Sequence, residues 1–183
     1  MASILIVYKS STHFTEKYVN WITEKIVCDT IHLHQIGNID IKQYAKIIYG
    51  AGIHAGKIQG LKKFKKHVLN LADDNIVIFA TGAAPNDEKI VTDIKQNNFS
   101  ENERQVVAFF YFQSGLNYEK MHFIDKLMMK TFSKILALKK DKSVIEDGTS
   151  QAILQSYDNS NREFIKPMMS YLNQCSTNTI ISK

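Results

Sequence analysis

Ser3-Ile4-Leu5-Ile6-Val7-Tyr8-Lys9-Ser10-Ser11-Thr12-His13-Phe14-Thr15 is the stretch that decides the fold. Its first six residues are a near-continuous apolar run, the pattern of a strand buried on both faces. Behind them comes a turn dense in hydroxyls, and then Phe14 to Ile26, with Tyr18, Trp21, Ile22 and Ile26 at helical spacing. A doubly buried strand that passes through a short polar loop into a helix is the opening of a β-α-β unit.

The rest of the chain repeats that alternation. Strands are predicted at Thr30–Leu33, Lys46–Gly50, Asn75–Ala80 and Gln105–Phe112. Helices are predicted at Ile58–Leu71, where Ile58, Leu61, Phe64, Val68 and Leu71 share one side, and at Asn86–Gln96. A last helix is expected from Ser160, which makes a capping-box pattern with Glu163, to Leu172. Such an order predicts an α/β fold: a doubly wound, five-stranded parallel sheet with helices on both faces. Residues 1–174 form one domain in this reading, with a basic helical segment at about 117–150 and a tail at 175–183. No internal repeat or low-complexity linker interrupts it.

Ligands of doubly wound sheets sit beyond the carboxyl ends of the strands, near the switch point. The loop after the first strand holds Ser10, Ser11, Thr12, His13, Phe14 and Thr15 and opens directly into a helix. Unpaired amides and the positive end of the helix dipole suit a phosphate there. One hydroxyl would be an ordinary helix cap, but four in six residues exceed what capping needs. The loop is neither a Walker A motif nor Gly-x-Gly-x-x-Gly, which counts against ATP and against a Rossmann dinucleotide. After the third strand, Gly50-Ala51-Gly52-Ile53-His54-Ala55-Gly56-Lys57 lets backbone approach a flat ligand; a bare flexible turn is the plainer alternative. Thr81-Gly82-Ala83-Ala84-Pro85 follows the fourth strand, and Gln113-Ser114-Gly115-Leu116-Asn117-Tyr118 the fifth. Together these loops describe a grip on a planar ligand with a phosphate tail. No side chain stands out as a catalytic acid or base; His54 is the best candidate, and a lone histidine is more often a surface residue.

Composition bounds the rest. The 183 residues are 44% hydrophobic and 22% charged, ordinary for a soluble globule able to bury its own core. No apolar run approaches the roughly 20 residues that span a bilayer. The start, Met1-Ala2-Ser3-Ile4, lacks the basic and apolar regions of a secretion signal, so the expected location is cytoplasmic. Cys28 and Cys175 have no motif around them and read as ordinary thiols. A formal charge of +5 is a mild excess that points to no nucleic acid.

These loops resemble those of the flavodoxin-like superfamily, and within it the flavodoxin-domain group that includes menaquinone-dependent protoporphyrinogen oxidases. Ser10, Thr12 and Thr15 match that group's phosphate loop. Gly50 to Ile58 is similar to its second flavin loop. Phe110 to Tyr118, with Ile124 to Lys130, looks like its segment after the fifth strand. The resemblance implies FMN as cofactor, its phosphate held by Ser10, Thr12, Thr15 and the amides of residues 11–15. It implies that Ala51, Gly52, Ile53 and His54, with Thr81, Gly82, Ala83 and Ala84, flank the flavin ring, and that Ser114 and Gly115 stand beside it. It implies a porphyrinogen, a quinone or another small redox molecule as substrate. His13 departs from the pattern, because the group usually has glycine there; a positive φ would strain it and would weaken FMN binding. Two other functions stay open: an electron-transfer flavodoxin serving a redox protein partner, and a fold that has lost FMN and acts as an interaction module. A homodimer is a further expectation of the resemblance.

Glu119 to Lys142 carries seven lysines against three acids. Lys126, Lys130 and Lys134 recur every four residues, opposite Ile124, Leu127, Met128, Phe132 and Ile135. A solvated face on a helix packed against its own domain is the plain reading. The functional alternative is a docking surface for an acidic partner, a quinone carrier or the inner face of a membrane.

Overall fold

The computed structural model describes residues 3–68, 75–117, 119, 120 and 155–181, the last seven of these by backbone alone. The chain runs β1 (Ile4–Lys9), α1 (Phe14–Thr23), β2 (Asp29–His32), β3 (Lys46–His54), β4 (Lys57–Ile58), α2 (Leu61–Lys65), β5 (Ile76–Gly82), α3 (Glu88–Asn98), α4 (Glu101–Val106), β6 (Ala108–Gln113), β7 (Gly115–Leu116), β8 (Tyr157–Asp158) and α5 (Lys166–Ile181). Five strands pair in parallel in the order β2-β1-β3-β5-β6, and the short β4 folds back on β3. This is the doubly wound sheet expected from the apolar runs. The order reverses between β1 and β3, which places the ligand crevice at their carboxyl ends.

Alternation along each strand divides the core. Leu5, Val7, Ile47, Tyr49, Ile76 and Ile78 face a layer built from Ile36, Leu61, Phe64 and Ile94. Ile6, Ile48, Val77 and Phe79 face Tyr18, Val19 and Ile22 of α1 and Ile165, Met168 and Leu172 near the C-terminus. Each face buries its own apolar set, so a one-residue slip of register would exchange them.

Several boundaries differ from the sequence reading, each for a local reason. β3 runs to His54, four residues beyond the expected end. Its small residues read as a loop, yet Gly50 is needed inside the strand: a Cβ there would lie 2.0 Å from Phe79 Cζ. The turn proper is Ala55-Gly56, both at positive φ (47° and 75°), which closes the β3–β4 hairpin as a primed two-residue turn. Ile58 therefore belongs to β4, and α2 starts at Leu61. Gln105 and Val106 end α4 instead of starting β6; Ser100 and Glu103 form a capping box at that helix's start. Near the C-terminus the cap is Asn161, whose side chain accepts from the Glu163 amide at 2.9 Å, and not Ser160. A short 3-10 turn follows, and α5 continues past Leu172 to Ile181. The expected basic helical segment lies almost entirely outside the described residues.

Candidate functional site

The carboxyl ends of β1, β3, β5 and β6 border one cleft of about 660 Å³, a size that suits a small-molecule ligand. Ser11, Thr12, Phe14, Thr15, Gly52, Ile53, His54, Thr81, Gly82, Ala83, Ser114 and Gly115 all line it. Four other expected residues sit around it. Ser10 turns inward and accepts from the Glu16 amide at 3.4 Å. His13 is exposed and bonds the Glu16 carboxylate at 2.7 Å. Ala51 is fully buried in the core beneath. Ala84 offers its carbonyl to the Tyr111 hydroxyl at 2.7 Å.

The floor of the cleft is polar where the fold alone gives no reason for it. Among the described residues, the buried polar side chains are Thr15, Thr81 and Ser114, and all three line this cleft. Thr15 Oγ1 and Thr81 Oγ1 lie 2.8 Å apart, joining the first turn of α1 to the end of β5. Two hydroxyls carry two hydrogens, and one closes this bond; the other remains for a ligand oxygen. At the N-terminus of α1, His13 has φ 69° and makes no side-chain cap bond. The first-turn amides have no intrahelical acceptor, and the residues that carry them (Phe14 and Thr15) line the cleft. The lining contains Lys9, His54 and Lys120 and, among the described residues, no aspartate or glutamate.

Buried tyrosines hold the surrounding loops. Tyr49 of β3 donates to the Gln59 carbonyl, Tyr111 of β6 to that of Ala84, and Tyr18 of α1 to that of Gln113. Each ring sits in the core while its hydroxyl fixes one carbonyl beside the cleft. Burial raises all three phenols, that of Tyr18 to about 12. Gly82 leaves room for this arrangement, since a Cβ there would stand 2.9 Å from the Tyr111 oxygen.

Sequence reasoning missed Gln59. Its amide donates to Gly52 O at 3.0 Å, its carbonyl takes the Tyr49 hydroxyl, and its side-chain oxygen accepts from Ser11 Oγ at 3.0 Å. It thereby ties the hydroxyl loop to the end of β3. Gly60 behind it has φ 74° and caps α2 at its start, a glycine that falls inside the helix expected from the sequence at Ile58–Leu71. Lys9, Leu116, Asn117 and Lys120 also line the cleft without having been singled out as site residues.

The third wall is closed by the pairing of β7 with β8. A Cβ at Gly115 would lie 1.9 Å from the Tyr157 carbonyl, so this contact needs glycine. Lys17 and Asp158 brace it from α1, 2.6 Å apart.

Residues 5–143 match the sequence profile of the flavodoxin domain. The chain belongs to the flavodoxin domain family. Solved structures of similar fold include the Trp repressor binding protein of Bacillus subtilis, at 13% identity and a TM-score of 0.44 over 60% of this chain and 83% of that one. A flavoprotein of Lactobacillus acidophilus NCFM in complex with FMN is 17% identical, with a TM-score of 0.39 over 62% and 93%. An archaeal flavodoxin is 11% identical, with a TM-score of 0.37 over 59% and 83%. A comparison with curated proteins found no match. No helix among the described residues is long and apolar enough to cross a membrane.

Proposed function

We propose that this flavodoxin-domain protein binds FMN in the cleft and is an oxidoreductase, related in activity to the menaquinone-dependent protoporphyrinogen oxidases. The observation that carries the binding is the coincidence of the buried polar side chains with the open N-terminus of α1. Thr15 and Thr81 pair with each other and leave one hydroxyl hydrogen for a ligand, and Thr15 stands where a phosphate would be met by helix amides. The chain's residues fit the group. Thr12, Thr15 and the amides of residues 11–15 would hold the phosphate, Gly52, Ile53 and His54 one side of the ring, and Thr81, Gly82 and Ala83 the other. FMN, when bound, supplies electron and hydride transfer, which no side chain here supplies. The protein's part is to orient the ring through loops held by Gln59 and the three tyrosines.

The substrate in this reading is a porphyrinogen, a quinone or another small redox molecule, and the basic stretch 119–142 brings the protein to the inner face of a membrane. A redox protein partner and a homodimer belong to the same proposal.

An absorption spectrum tests the binding, taken before and after adding FMN and removing the excess. Oxidised-flavin bands should stay with the protein, and Thr12→Ala with Thr15→Ala should weaken retention. Unchanged affinity in that double variant would overturn the residue assignment. No retained flavin in the wild type would instead support a cofactor-free interaction module. Turnover of a porphyrinogen with a quinone as acceptor tests the activity; a flavoprotein that reacts only with protein partners would be a carrier.

A further inference from the structure

We infer that Lys9 and Lys120 raise the reduction potential of the flavin held in this cleft; this rests on the FMN reading above. Lys9 ends β1, and its side chain runs beside Gly60, its Cδ 3.3 Å from where a Cβ on that glycine would stand. Lys120 follows β7, its amide held by Asn117 Oδ1 at 3.1 Å. Both line the cleft, from separate elements, and no carboxylate among the described residues lines it to offset them.

Two electrons taken up with one proton add one negative charge to the bound ring. Cations lining the cleft that holds the ring favour the added charge over the state without it. These lysines need no contact with the reacting atoms, so they act as tuning residues. Both are exposed, which keeps the effect of each modest and sensitive to salt.

The test is a dithionite titration of FMN-loaded protein with mediator dyes, at low ionic strength. Lys9→Gln, Lys120→Gln and the double variant are compared with Lys62→Gln, a change of equal charge on the exposed side of α2. Removing one solvent-exposed charge near the ring should shift the reduction equilibrium about threefold. At about 30 mV per tenfold for a two-electron couple, that is a midpoint lower by about 14 mV for each single variant and about 28 mV for the double. The shift should shrink in high salt, and Lys62→Gln should leave the midpoint in place. Unmoved midpoints in the cleft variants, or an equal shift in Lys62→Gln, would overturn the inference. Retention of FMN, measured first on the same samples, separates this from failure of the FMN reading: wild-type protein that holds no flavin overturns both.

Discussion

His13 stands in the left-handed region at φ 69° and ψ −3°, in the loop that opens into α1. Replacing it with glycine and, separately, with alanine isolates what that conformation costs. A non-glycine residue there gives up about 1–2 kcal/mol relative to its relaxed backbone. Glycine escapes the strain but loses about 0.5–1 kcal/mol through the greater freedom of its unfolded chain. Both variants lose the imidazole contact with Glu16, an exposed pair worth only a few tenths of a kcal/mol. That loss cancels when the two are compared. Alanine keeps the strain, so with mid-range values of about 1.5 kcal/mol for the strain and about 0.75 kcal/mol for the entropy, His13→Gly should be more stable than His13→Ala by about 0.75 kcal/mol, about 1.5–3 °C in Tm for a chain of this length. Paired thermal and urea melts of the two variants measure the gap. Equal stability, or a more stable alanine variant, would mean that the loop relaxes away from positive φ and would refute the reasoning. The glycine variant should also hold FMN at least as well as wild type, because it relieves the loop without removing a hydroxyl.

Gly50→Ala should cost about 1–3 kcal/mol, because the new methyl meets the Phe79 ring at 2.0–2.7 Å; Phe79→Leu should recover part of the loss in a double-mutant cycle read by urea melts. Gly115→Ala should part β7 from β8, seen as faster hydrogen exchange at Asn159, whose amide bonds Ser114 O at 3.2 Å. Glu103 is partly desolvated, which alone would raise its carboxyl, but bonds from Lys65 and the Ser100 amide, each 2.8 Å, hold it below the usual range. Its contribution is therefore present above the ordinary glutamate range and lost as pH falls through its lowered folded value; urea midpoints between pH 6 and pH 3 should fall less steeply in Glu103→Gln. Burial lifts Tyr18 to about 12 against about 10 unfolded, so its contribution is complete below about pH 10 and lost as pH approaches 12; Tyr18→Phe should flatten the alkaline arm of the stability curve.

The parallel strands were legible because burial on both faces writes itself as an unbroken apolar run, as in Ile4 to Tyr8 and Ile76 to Ala80. α4 was not, because Glu-Asn-Glu-Arg-Gln-Val has no apolar face to show a helical period, and none of it is buried. Its capping box, Ser100 with Glu103, was in the sequence all the same. Val106 joined the apolar run of β6 on paper, yet it is 53% exposed at a helix end. The end of β3 misled in the opposite direction. Gly50-Ala51-Gly52 looks like a loop because small residues weaken isolated strands, whereas here the space above Gly50 belongs to Phe79. In the site, the hydroxyl loop was readable from its composition. Gln59 was not, since its role arises from three bonds that only the folded chain brings together.

That difference has a physical basis in how this cleft is supported. A strand's burial is a property of consecutive residues, so a local pattern suffices to reveal it. The positions of the cleft loops depend instead on Tyr18, Tyr49 and Tyr111, which read in the sequence as core aromatics. Each spends its ring on the core and its hydroxyl on a loop carbonyl. A phenylalanine at any of them would preserve the apolar pattern and leave a loop carbonyl without its donor. The core thus sets the geometry of the site through three polar atoms at its upper edge. Those same bonds position the hydroxyl loop: Tyr49 holds Gln59, and Gln59 holds Ser11. A ligand entering beside Thr15 and Thr81 meets groups already fixed by packing, so less of its binding free energy is lost to ordering them.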